Sequence, residues 1–202
     1  MANRGRFRAR TRSYSTRNVD IRETRERFLI VCEGEKTEPN YFRAFRVPKE
    51  VINVVGLGDN TVRIVEEAIR RKAVDWFDQV WCVFDRDSFP VEQFNAAIEL
   101  ARVNQIEVAY SNESFELWYL LHFNYYDAAL SRTDYVGRLT RELDHRYEKN
   151  DRSMYDELLA RQPAAIRNAE RLLNSYIPSN PAYDNPATTV HLLVIQLNRF
   201  IQ

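Results

Sequence analysis

The chain has 202 residues, of which 45% are hydrophobic and 12% aromatic, enough for one domain with a buried core. Its 29 basic and 29 acidic residues cancel, which argues against a general coat for polyanions, and its two cysteines, Cys32 and Cys82, are too few for a disulfide scaffold or a four-cysteine zinc module. Apolar runs of about five residues fall far short of the ~20 that span a bilayer, and the first residues lack the apolar stretch of a secretory signal. A reduced, soluble, cytoplasmic protein with no membrane contact is expected.

The charge is unevenly spread. Nine Arg against Asp20, Glu23 and Glu26 fall within residues 1–28, so the rest of the chain is acidic. Residues 1–26 hold few apolar side chains and read as a flexible arm. Arg4, Arg6, Arg8, Arg10 and Arg12 suit phosphate contact with a nucleic acid, a solubilising tail or contact with an acidic partner.

From Arg27 onward, strand and helix signals alternate. The run 28–32 (FLIVC) is short, apolar and β-branched, as in a strand covered on both faces. Gly34 and Pro39 punctuate the following turn, and a short helix reaches about Phe45. Residues 51–57 read as a second strand. Val62, Val65, Ile69, Ala73 and Trp76 form a helical stripe. Residues 80–84 (VWCVF) read as a third strand, and Phe94, Ile98 and Ala101 as the next helix. Residues 106–110 follow as a fourth strand, and Glu113 to Phe123 as a covered helix.

This order predicts an α/β fold: a mainly parallel sheet of about four strands with helices on both faces. Beyond about Tyr126 the strand signal ends. Ile166, Ala169, Leu173 and Tyr176 make one helical stripe; Val190, Leu193, Val194, Leu197 and Ile201 make another. The expected organisation is the arm 1–26 and a domain 27–202, divided into an α/β core 27–126 and a C-terminal helical appendage 127–202.

In parallel sheets, ligands gather beyond the carboxyl ends of the strands. Glu33 to Glu38 follow the first strand, Asp85, Arg86 and Asp87 the third, and Glu113 and Glu116 the fourth. In an extended backbone Asp85 and Asp87 face one side, and Glu33 joins them if the first and third strands are neighbours. Clustered carboxylates repel, so Mg²⁺ or Mn²⁺ between Glu33, Asp85 and Asp87 is the economical solution. Glu38 and Glu116 are the best further metal ligands. Asp85 taken alone reads sooner as a helix cap than as a metal ligand, and Glu116 alone reads equally as an acid aided by a helix dipole. The histidines at 122, 145 and 191 lack ligand spacing and read as structural, and Trp118 and Tyr119 as core.

Four blocks resemble one family. Residues 29–42 (LIVCEGEKTEPNYF), 83–89 (VFDRDSF), 110–123 (YSNESFELWYLLHF) and 185–194 (NPATTVHLLV) look like the RloB family, of Toprim-like fold and associated with phage defence. The resemblance implies a metal-dependent nuclease, acting on DNA or RNA, often alongside an ATPase partner. It matches Glu33 to the Toprim glutamate and Asp85 and Asp87 to its paired aspartates. Glu38 corresponds to a further acid, one residue later than the usual spacing. Glu116 is a recurrent family position, and Lys149 resembles a basic position that could steady a transferring phosphoryl group. Two other readings compete: a haloacid-dehalogenase-like phosphatase with Asp85 as nucleophile, and a non-catalytic regulatory or binding subunit of an ATPase complex. A second copy of the chain, as a homodimer, is a further candidate partner.

Overall fold

The computed structural model describes residues 26–58, 60–87 and 90–201. The Arg-rich arm therefore lies outside the described residues, apart from Glu26. The apolar runs fold as expected: Phe28–Cys32 (β1), Ile52–Gly56 (β2), Gln79–Asp85 (β3) and Glu107–Asn112 (β4) are parallel neighbours in the order β2-β1-β3-β4. Helices Thr37–Arg43 (α1), Thr61–Val74 (α2) and Val91–Val103 (α3) connect them.

Alternation along each strand sends side chains to both faces, and each face has its own core. Leu29, Val31, Cys82 and Phe84 pack with Ile64, Val65, Phe94 and Ala97 of α2 and α3. Phe28, Ile30, Cys32, Trp81 and Val83 pack on the opposite face with α1 and the helices of the second half of the chain. Those helices are Glu116–Leu120 (α4), Arg132–Glu142 (α5), Met154–Leu158 (α6), Gln162–Leu173 (α7) and Val190–Asn198 (α8). Tyr41 of α1 joins them, its ring 5.8 Å from Phe115 and 5.6 Å from both Tyr119 and Tyr155. Both cysteines are free and buried.

The structure departs from expectation in three places. A fifth strand, Ala187–Thr188 (β5), pairs antiparallel with β4 through Ser111↔Thr188. Two residues after Pro186 carry no period, so this strand left no pattern to read. The helix expected over Glu113 to Phe123 is cut to five residues, Glu116–Leu120, with turns on either side of it. The α2 stripe stops early: α2 ends at Val74 and Trp76 is 73% exposed. The Asp75 carboxylate takes the Trp76 N–H at 2.8 Å and pairs with Arg27, turning the chain out of the helix. Tyr176 and Ile201 likewise lie past the ends of α7 and α8, still packed against the core.

Candidate active site

The carboxyl ends of β1, β3 and β4 open into one cavity of about 470 Å³. Because β1 lies beside β3, in register Cys32↔Val83, the residue after β1 emerges next to the end of β3. That residue is Glu33, whose N–H donates to the Val83 carbonyl at 2.8 Å. Its Oε2 accepts the Asp85 N–H at 2.9 Å. Glu38 enters from the first turn of α1 and is buried beneath Gly34, where a Cβ would collide with its carboxylate. Gly34 thus permits close approach as well as a turn.

Asp85 ends β3, but Asp87 does not continue the strand. Its φ of 36° turns the backbone, and its N–H donates to the Glu113 carbonyl at 3.3 Å. The two carboxylates still meet, by a different route from the extended pair expected. One guanidinium nitrogen of Arg132, Nη2, stands 3.2 Å from Asp85 Oδ2 and 3.0 Å from Asp87 Oδ2. Glu116 begins α4 almost fully buried, accepts the Tyr147 hydroxyl at 3.2 Å, and has Lys149 Nζ 3.9 Å away. The Lys149 segment is tied to α1: Thr37 Oγ1 donates to the Lys149 carbonyl at 2.9 Å, and Asn40 Nδ2 to the Asn150 carbonyl at 3.4 Å.

All six residues singled out from the sequence, Glu33, Glu38, Asp85, Asp87, Glu116 and Lys149, line this cavity. Reasoning on the sequence missed Arg132 and Tyr147. Each belongs to the second half of the chain, and nothing local announces that α5 begins over the sheet's carboxyl edge. The SRTD run at 131–134 signals a helix start, not where that helix sits. None of the histidines lines the cavity. Burial lowers His122 and His191 to about 4, and His145 is exposed beside Glu157 at 3.1 Å. A larger cavity, about 680 Å³, opens near the start of β1 and β2 and has Glu50 as its single carboxylate among the described residues.

The cavity is short of positive charge. Glu33, Glu35, Glu38, Asp85, Asp87 and Glu116 face Lys36, Arg132 and Lys149. Burial is the main force on three of the acids. It pushes Glu33 up to about 7 against the opposing Asp85 N–H, with Glu38 and Asp87 adding repulsion. It raises Asp85 well above the usual range, aided by Glu38, Glu116 and Glu33 and opposed by Arg132. It raises Glu38 too, and Glu116 adds to that shift. A hard, oxygen-only donor set with too few cations has the chemistry that suits Mg²⁺ or Mn²⁺. In this arrangement, though, no group of three or more His, Cys, Asp or Glu among the described residues is set to hold an ion. Arg132 bridges the two aspartates instead, and Glu33 is turned onto the Asp85 backbone.

An α/β sheet with carboxylates gathered at its carboxyl edge defines the class of this protein. The sequence model of the RloB-like protein family matches residues 28–197, so the chain belongs to that family. No curated protein and no solved structure matches it. No helix among the described residues is long and apolar enough to cross a membrane.

Proposed function

We propose that this chain is a Mg²⁺- or Mn²⁺-dependent, Toprim-type nuclease hydrolysing phosphodiester bonds in DNA or RNA. Its setting would be anti-phage defence in the cytoplasm, beside an ATPase partner, as the family resemblance implies. The observation that carries the reading is the convergence of Glu33, Glu38, Asp85, Asp87 and Glu116 on one cavity at the sheet's carboxyl edge.

Asp85 and Asp87 are the first candidates to hold an ion, because both already turn their oxygens towards one cationic nitrogen. Glu33 stands beside them, and the deeper Glu38 and Glu116 would complete the set or hold a second ion. Bound there, the ion would supply charge for the phosphate oxygens and lower the pKa of an attacking water. Lys149, 57% exposed at the rim, can reach a phosphoryl oxygen while its segment stays anchored to α1. Tyr147 keeps Glu116 in place by its hydroxyl bond. A phosphatase built on Asp85 gives Glu33 no part, whereas Glu33 here binds the Asp85 backbone directly.

A regulatory or binding subunit is the second reading, favoured by the way Arg132 already occupies the space between the aspartates. Incubation of purified protein with mixed DNA and RNA and Mn²⁺, with and without an ATPase partner, separates the two. Cleavage that disappears in EDTA and in Asp85→Asn is expected of the nuclease. No cleavage in either state would leave the binding subunit standing.

A further inference from the structure

Among the described residues, Arg132 is the one cation held between the paired aspartates, and it is held imperfectly. A single nitrogen serves both carboxylates at 3.0 and 3.2 Å, longer than the ~2.7–2.9 Å of a good charge-assisted bond. The fork that makes a guanidinium a strong two-point ligand is unused. Its buried Nε has no hydrogen-bond partner among the described residues. The backbone beneath is firm: Arg132 is the first residue of α5, fixed by a reciprocal cap between Ser131 and Asp134. The side chain above it lines the cavity and is 41% exposed, within reach of a ligand entering there.

We propose that Arg132 and the divalent ion compete for Asp85 and Asp87, and that the guanidinium displaced from this pair grips the phosphate of the nucleic-acid substrate. The inference rests on the metal-dependent reading above. Both partners of the exchange gain. The carboxylates trade a partial, one-nitrogen contact for a divalent charge. The guanidinium trades that contact for an anion that can take its two-nitrogen edge, including the unsatisfied Nε. The exchange also orders events, since a chain without its ion offers the substrate no free arginine at this place. Arg132 is thereby a phosphate-binding residue, distinct in role from Lys149 on the opposite rim segment.

Two affinities test this in wild type, Arg132→Gln and Arg132→Lys, each checked for native circular dichroism. Mn²⁺ binding is measured by calorimetry without nucleic acid, and binding of a labelled mixed-sequence oligonucleotide in Ca²⁺ by anisotropy. Arg132→Gln is expected to bind Mn²⁺ about tenfold tighter and the oligonucleotide about tenfold more weakly. Arg132→Lys should fall between, retaining charge without the fork. If either affinity is unchanged in Arg132→Gln while wild type binds Mn²⁺, the exchange is wrong and the metal reading survives. If wild type binds no Mn²⁺, the metal reading itself fails.

Discussion

Glu33 carries its proton further up the pH scale in the folded chain than an ordinary carboxyl does, about 7 against 4.5. Between those values the folded state binds more protons than the unfolded state, so this group makes stability fall as pH rises. Buried His122 and His191, lowered from 6.5 to about 4, act in the opposite sense: their contribution is present above 6.5 and lost as pH falls towards 4. Glu33→Gln isolates the first effect. In EDTA, its Tm should gain on wild type as pH is raised from about 5 to about 7.5, and Mn²⁺ should narrow the gap by stabilising wild type more than the variant. A difference that ignores pH would contradict the burial of Glu33. Gly34→Ala tests the neighbouring contact, since its Cβ would strike the Glu38 carboxylate. The carboxylate is the far end of a flexible side chain and can swing aside, so a small loss, below about 1 kcal/mol in urea unfolding, is expected; a loss of several kcal/mol would mean that Glu38 is held rigidly in place.

At the scale of elements, the site depends on helix starts that project residues over the sheet's edge. Ser131 accepts the Asp134 N–H and Asp134 returns the bond to Ser131, so α5 begins at a fixed point with Arg132 as its first residue. Ser131→Ala should cost about 1 kcal/mol of stability, and heat or urea unfolding measures it; no loss would show that tertiary packing alone fixes the start of α5. The parallel strands were legible because FLIVC and VWCVF are apolar on both faces, as in a doubly covered sheet; their order was not, because two-faced burial does not say which strands are neighbours. The acids were legible because each sits within three residues of the end of an apolar run, or in the first turn of the helix that follows it. Arg132 and Tyr147 were not, because their position depends on how α5 and the segment after it cross back over the sheet. β5 was not, because two residues show no alternation. The turn at Asp87 was not either, because nothing in DRD marks a left-handed φ.

Over the whole molecule, charge is divided between an Arg-rich beginning and an acidic remainder. The carboxylates that would hold a cation also repel a polyanion, so a nucleic-acid substrate needs a positive field from elsewhere. Residues 1–25 hold eight Arg against Asp20 and Glu23. Deleting them should leave Tm unchanged while flattening the dependence of oligonucleotide affinity on salt. An unaltered salt dependence would remove the arm from substrate binding. The account as a whole requires that the acids at the sheet's edge bind a divalent ion, and calorimetric titration of Mn²⁺ into wild type and Asp85→Asn measures that directly. Saturable binding by wild type, weakened about a hundredfold or lost in Asp85→Asn, is the predicted result. No uptake by wild type, or equal uptake by the two proteins, would contradict it.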